Sequence, residues 1–146
     1  MKDYTLKYGK GSVTFALDEA HVTELYGTPV PKIDDIRAAL YATLSSPVSH
    51  EPLESWVNPE DKVALIVSDM SRFWMRQDLV VPHIISYLTD KCDVNQNNIT
   101  IIIANGTHLG GDENELRTLV TDGVYDRIRV VNHDCQAKDL VYIGTT

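Results

Sequence analysis

Polar and ionisable side chains follow three apolar runs of the sequence, and they are the residues best suited to chemistry. The segment Ser68–Arg72 (SDMSR) follows the first run, Ala104–His108 (ANGTH) the second, and Asn132–Asp134 (NHD) the third. In open α/β sheets, ligands bind outside the carboxyl ends of the strands. The repeated pattern therefore predicts one site, at one edge of a sheet, to which all three segments contribute.

The first segment offers a carboxylate and a guanidinium at close spacing. Asp69 and Arg72 are three positions apart, which places them on one face of a helix or a turn. An arginine held by a carboxylate is preorganised to bind a carboxylate or a phosphate. A purely structural ion pair at the end of a strand is the alternative explanation of the same spacing.

The second segment predicts a tight turn that exposes a histidine. Gly106 permits a positive φ, and a histidine can exchange protons near neutral pH. His108 could instead merely fill or cap a loop, and for His133, beside Asp134, a solvated strand end is an equally good explanation.

Composition indicates one globular domain. The chain has 146 residues, 43% hydrophobic and 23% charged, with 13 basic and 21 acidic residues and a net charge of -8. No basic run is long enough to follow a phosphate backbone, and no apolar stretch approaches a signal peptide or a membrane span. Cys92 and Cys135 have no metal-type spacing. We therefore expect a cytoplasmic protein without a nucleic-acid or membrane partner.

The N-terminal part of the chain predicts a hairpin and then a helix. Tyr4–Tyr8 and Ser12–Leu17 alternate apolar and polar residues around a glycine turn, which is typical of a β-hairpin. A helical face follows, with two acidic residues expected in its first turn. The apolar positions of that face are Ile33, Ile36, Leu40 and Leu44, and the acidic residues are Asp34 and Asp35.

From Asp61 onward, apolar runs alternate with helical patterns. The first run, Val63–Val67, is typical of a strand buried on both faces. Further strands are predicted at Ile99–Ile103, Ile128–Val131 and Leu140–Ile143, and helices at Leu79–Leu88, with Pro82 in the first turn, and after the capping box Asp112–Glu115. This alternation predicts an α/β fold: a Rossmann-like, mainly parallel sheet with flanking helices, preceded by an N-terminal β-hairpin.

These segments resemble the N-terminal domain of the lactate racemase family, the nickel-pincer-nucleotide-dependent racemases and epimerases of 2-hydroxy acids. The resemblance covers essentially the whole chain, from the hairpin at Tyr8-Gly9 through the SDMSR and ANGTH segments to the NHD segment. It implies that residues 1–146 are one N-terminal domain, with a hairpin region at 1–25, a βαβαβ core at 61–146, and the rest of the family chain absent. Phe73 stands where the family usually has a proline.

The resemblance also implies a role for individual residues. His108 matches an acid/base residue, Arg72 a residue that holds or polarises a small 2-hydroxy-acid substrate, and Asp69 a residue of the pocket. Asp69, Ser71 and Gly106 are expected to contact the nickel-pincer nucleotide, and no metal ligand is expected here. The second acid/base histidine, the lysine that tethers the cofactor and the nickel ligand lie further along the family chain. The isolated chain is thus expected to be inactive and to need the rest of the enzyme, or a partner chain, to complete the site.

Three other functions are consistent with the same residues. Asp69 could be the nucleophile of an aspartate-based phosphatase, although such enzymes normally have a second aspartate where this chain has Ser71. The chain could be a non-catalytic nucleotide- or partner-binding α/β module, since Arg72 suits a phosphate. A metal site formed by His108, His133 and Cys135 lacks familiar ligand spacing.

Overall fold

A computed structural model describes residues 1–142, 144 and 145, in two compact units, Met1–Lys32 and Ile33–Thr146. The first unit contains the predicted hairpin. Strand β1 (Lys2–Tyr8) pairs antiparallel with β2 (Gly11–Leu17), and the register runs from Lys2 opposite Leu17 to Tyr8 opposite Gly11. Gly9 begins the turn with φ +57°, a conformation that glycine adopts without steric cost. A short 3-10 helix, Glu19–His21, follows.

The second unit is built on a parallel sheet of three strands, which confirms the predicted α/β fold. These are β3 (Val63–Ser68), β4 (Ile99–Ala104) and β5 (Arg129–Asn132), with β4 in the centre. The strand order follows the chain without reversal. Because parallel crossovers are right-handed, this order places both crossover helices on the same face of the sheet.

The described residues of the second unit form four α-helices: α1 (Ile36–Ser45), α2 (Val81–Asp90), α3 (Glu113–Val120) and α4 (Asp122–Tyr125). Short 3-10 helices occupy Leu53–Ser55, Met70–Met75, Gln77–Leu79 and Gln96–Asn98. Pro82 lies in the first turn of α2, and the Asp112 carboxylate accepts a hydrogen bond from the Glu115 N–H at 2.9 Å, as predicted. None of the helices within residues 1–142 is long and apolar enough to cross a membrane.

The start of α1 differs from the prediction. The helix begins at Ile36, and Asp35 is its N-cap, with a carboxylate that accepts from the Ala38 N–H at 2.8 Å. Ile33 and Asp34 therefore precede the helix, and Ile33 is exposed. An N-cap residue has non-helical backbone angles, as Asp35 does, so the capping bond sets the first helical residue at Ile36.

The sheet is buried on one face only, which corrects the expectation that β3 is buried on both. Residues of β4 facing the helices, such as Ile101, are fully buried, whereas Ile66 of β3 is 67% exposed. Ile66 lies opposite Ile102, which lies opposite Val131, so these three residues form an apolar row across the open face. A continuous apolar run favours a strand whether the sheet is covered on one face or on both. The sequence pattern alone therefore does not distinguish a half-buried strand from a fully buried one.

The predicted fourth strand is wrong over the residues that can be described. Leu140, Val141 and Tyr142 form no strand and are all exposed, and Ile143 lies outside the described residues. The pattern is only four residues long and ends next to Gly144. A strand also needs a neighbour for its backbone hydrogen bonds, and sequence pattern does not supply one.

Candidate functional site

The carboxyl ends of β3 and β4 lie side by side. Ser68, the last residue of β3, is in register with Ala104, the last residue of β4. Asp69 and Asn105 therefore leave the sheet from adjacent points, and each is the second residue of one of the segments singled out in the sequence. This register is what brings the SDMSR and ANGTH segments together.

Asp69 contacts His108, 39 residues further along the chain. The Asp69 Oδ2 atom lies 2.6 Å from His108 Nδ1, and Asp69 Oδ1 accepts a hydrogen bond from the Ser71 hydroxyl at 2.6 Å. The Asp69 side chain is only 15% exposed, whereas that of His108 is 57% exposed. The hydrogen bond from Ser71, followed by that from His108, lowers the pKa of Asp69 below its ordinary value. Asp69 is therefore a carboxylate at neutral pH.

The charge of Asp69 fixes how the imidazole is protonated. A carboxylate can only accept hydrogen bonds, so His108 Nδ1 must carry the proton in their contact. In the neutral imidazole, Nε2 then has the free lone pair. The pair is an oriented histidine whose second nitrogen can take a proton and return it.

Asp69 should make the stability of the fold depend on pH. Because its pKa is lower in the folded chain than in the unfolded one, its contribution is fully present above the unfolded value of about 4 and is lost as the pH falls through the folded value. We expect Asp69→Asn to lower the free energy of unfolding at pH 7, and this loss to shrink below pH about 4. Urea unfolding of both proteins across pH measures it; a pH-independent difference would contradict the assignment.

Arg72 does not pair with Asp69, which corrects the interpretation of their spacing. Both Asp69 oxygens are already used by Ser71 and His108, and only the Arg72 backbone N–H reaches residue 69, donating to its carbonyl at 3.0 Å. Arg72 has φ -112° and ψ 15° within the 3-10 helix Met70–Met75, so this helix is kinked there. In the described part of the chain, the guanidinium has no ion-pair partner. This exposed cation is free to bind an anion.

All five candidate residues line one open cavity of about 320 Å³. They are Asp69, Ser71, Arg72, Gly106 and His108. Gly106 adopts φ +59°, and a Cβ added there would lie within 4 Å of no atom beyond its two chain neighbours, so its backbone is open to a ligand. The cavity thus combines an oriented histidine, an unpaired cation and an accessible turn.

Two further residues hold the edge of the site, and the sequence patterns did not identify their roles. The Gln77 side chain accepts from the Ser68 N–H at 3.0 Å and donates to the Ser68 carbonyl, which fixes the end of β3. Asn132, at the end of β5, bonds to the loop that carries His108. The sequence marks Asn132 only as a polar residue after a strand, and it carries no local signal for Gln77, because the partner of Gln77 lies nine positions away.

The alternative metal site is not formed. Among the described residues, no group of three His, Cys, Asp or Glu side chains is arranged to hold a metal ion. His108, His133 and Cys135 do line a second cavity, of about 350 Å³, but without such an arrangement. The backbone N–H of His133 donates to the Ile103 carbonyl at 2.9 Å, so this residue extends the contact between β4 and β5.

Fold and site together define the class of protein: a parallel α/β domain with a carboxylate-oriented histidine at its strand ends. The family described as lactate racemase N-terminal domain matches residues 8–146. The chain therefore belongs to the lactate racemase N-terminal domain family.

Among solved structures, the chain is similar to the lactate racemase apoprotein from Thermoanaerobacterium thermosaccharolyticum. The TM-score is 0.73 at 18% sequence identity, and the match covers 91% of this chain. The same match covers 30% of the racemase chain, so the present chain spans about a third of that protein's length. At this identity the similarity concerns the fold. A comparison with curated proteins found no match.

Proposed function

We propose that this chain is the N-terminal part of an enzyme that interconverts enantiomers or epimers of a small 2-hydroxy acid. The observation that carries the proposal is the 2.6 Å contact between His108 Nδ1 and Asp69 Oδ2 at adjacent strand ends, in a member of the lactate racemase N-terminal domain family. This contact leaves His108 Nε2 as a proton acceptor beside an open cavity.

The chemistry needs a group that moves a proton in both directions. Inverting the carbon that bears the hydroxyl by way of a ketone requires removal of the hydroxyl proton and its later return. His108 Nε2 takes this proton from one enantiomer and returns it when the reaction runs backwards. Asp69 holds the ring through the contact at His108 Nδ1. A second base is needed on the opposite face of the substrate, and we assign it to the remainder of the enzyme.

Arg72 is the group that would bind the substrate carboxylate. Its guanidinium is exposed, lines the same cavity as His108, and has no ion-pair partner among the described residues. A guanidinium binds a carboxylate through two parallel hydrogen bonds, which orients as well as attracts it. The hydroxyl beside that carboxylate would then lie towards His108.

The cofactor implied by the family resemblance is a nickel-pincer nucleotide, and when bound it would supply a hydride acceptor for the substrate carbon. The residues of this chain fit its organic part. Ser71, beside Asp69, has a hydroxyl that donates to Asp69 and can still accept a hydrogen bond, and the Gly106 backbone is open. Since no metal-ligand cluster occurs among residues 1–142, 144 and 145, we assign nickel ligation to the remainder of the enzyme.

The experiment is an assay of the complete protein containing this domain, expressed with its cofactor and supplied with single enantiomers of 2-hydroxy acids. Chiral chromatography should show interconversion by the complete protein and none by the 146-residue chain alone. Turnover by the isolated chain would contradict the division of the site. No turnover of any 2-hydroxy acid by the loaded complete protein would contradict the proposal itself.

A non-catalytic nucleotide-binding module is the second candidate, favoured by the unpaired Arg72 beside the open cavity. It predicts that nucleotides stabilise the isolated chain against heat through Arg72 alone, with no requirement for His108. A requirement for His108 in turnover therefore indicates the enzyme, whereas nucleotide binding that needs only Arg72 indicates the binding module.

A further inference from the structure

We infer that Asn132 is a positioning residue for His108, because its carboxamide clamps the loop that carries the histidine. This histidine loop, Asn105–Gly111, leaves β4 and leads into α3. Asn132 is the last residue of β5, the neighbouring strand. The inference rests on the proposed function, in which the placement of His108 matters.

Both ends of the histidine loop are bound by the same carboxamide. At the first end, Asn132 Oδ1 accepts from Asn105 Nδ2 at 3.1 Å. At the second end, Asn132 Nδ2 donates to the Gly111 carbonyl at 2.9 Å, and Asn132 Oδ1 accepts from the Gly111 N–H at 3.3 Å. The side chain therefore pairs with Gly111 as a neighbouring strand would, and it closes the loop at its base.

The surroundings of the Asn132 carboxamide are buried and closely packed. Asn105 is 3% exposed, the one buried polar residue among the described residues, and its Nδ2 also donates to the His133 carbonyl at 2.9 Å. A buried amide of this kind is stable only when its hydrogen bonds are made. At Gly110, an added Cβ would lie 2.8 Å from Asn132 Cγ, so a side chain at this position would have to displace the carboxamide.

The clamp acts on His108 through the backbone. Within the loop, the His108 N–H donates to the Asn105 carbonyl at 2.9 Å, so the histidine is tied to the residue that Asn132 holds. His108 is itself 57% exposed, and its ring has little packing of its own to keep it against Asp69. The position of the imidazole thus depends on the loop, and the loop depends on Asn132.

The test uses the isolated chain and the ¹⁵N spectrum of the His108 ring, assigned with His108→Gln. In the wild-type protein we expect the neutral ring to carry its proton on Nδ1, facing Asp69. In Asn132→Ala we expect this preference to be lost, with the proton moving to Nε2. The Asp69 titration, followed by the ¹³C signal of its carboxyl, should move up towards the ordinary aspartate value, because one of the hydrogen bonds that lower its pKa is gone.

Val130→Ala is the matched control, since Val130 lies in the same strand, packs against the core and has no side-chain group that could hydrogen-bond to the loop. It should destabilise the fold and leave the His108 ring as in the wild type. Gly110→Ala displaces the carboxamide without removing it, and it should change the protonated nitrogen of the His108 ring as Asn132→Ala does. If Asn132→Ala does not fold, Gly110→Ala provides the test. An unchanged ring in the folded variants, or an equal change in Val130→Ala, would overturn the inference. These spectra do not depend on turnover. The inference about Asn132 can therefore be overturned while the proposed function holds, and the proposed function can be overturned while the inference holds.

Discussion

Replacing His108 with glutamine should lower kcat/KM for both enantiomers by roughly 10²–10⁴-fold in the complete protein. Glutamine can still donate a hydrogen bond towards Asp69, but it cannot accept and return a proton at neutral pH. Both directions should fall by the same factor, because the equilibrium constant between two enantiomers is one. Initial rates from each pure enantiomer, followed by chiral chromatography, give the two values.

His50→Gln is the matched control for this prediction. His50 is exposed, lies in the segment before β3, and is absent from the cavity that His108 lines. Its substitution should leave both rates as in the wild type. Wild-type rates in the His108→Gln enzyme would contradict the assignment of His108 as an acid/base residue.

Ile101→Ala should lower the free energy of unfolding by roughly 2–5 kcal/mol. Ile101 has no exposed surface, and it lies in the central strand between Leu65 of β3 and Val130 of β5. Truncating it leaves a cavity that the neighbouring strands and helices cannot fill without moving. Equilibrium unfolding of the isolated chain in urea, followed by circular dichroism, measures the loss.

Ile66→Ala is the control for Ile101→Ala, with the same change of side chain in the adjacent strand. Ile66 is 67% exposed on the open face, so its loss should change the stability by less than about 1 kcal/mol. Similar losses for the two variants would show that the face bearing Ile66 is buried in solution, contrary to the one-sided sheet described here.

Local signals in the sequence were enough to predict most of the fold. The glycine turn at Gly9, the proline in the first turn of α2 and the Asp112 cap each act over a few residues, and the structure has all three. The open face of the sheet was not predictable in this way. It follows from the strand order, which the sequence does not display, and Ile66 would look the same in a strand covered on both sides.

The candidate site was predicted as a set of segments, whereas its pairing was not. The spacing of Asp69 and Arg72 suggested a local ion pair, but the partner of Asp69 is 39 residues away. That contact depends on the parallel register of β3 and β4, which sets Ser68 beside Ala104. A contact determined by register between strands leaves no trace in local spacing, so sequence reasoning favoured the nearer partner.

The roles of Asn132 and Gln77 were missed for a related reason. Each uses a carboxamide to bind backbone groups of another segment, Asn132 at Gly111 and Gln77 at Ser68. Backbone groups are present at every position, so such a contact has no complementary residue that a sequence pattern could reveal. The glycines at positions 110 and 111 were the nearest available signal of a close approach.

The most direct measurement of whether Asp69 and His108 act as one unit is the kcat of the double variant Asp69→Asn/His108→Gln in the complete protein. Asp69→Asn alone should slow the reaction, because it removes the carboxylate that fixes the proton on His108 Nδ1. Once His108 is replaced, Asp69 has no ring left to orient, and the double variant should be about as slow as His108→Gln alone. Losses that multiply in the double variant would contradict the pairing of Asp69 with His108 in the reaction.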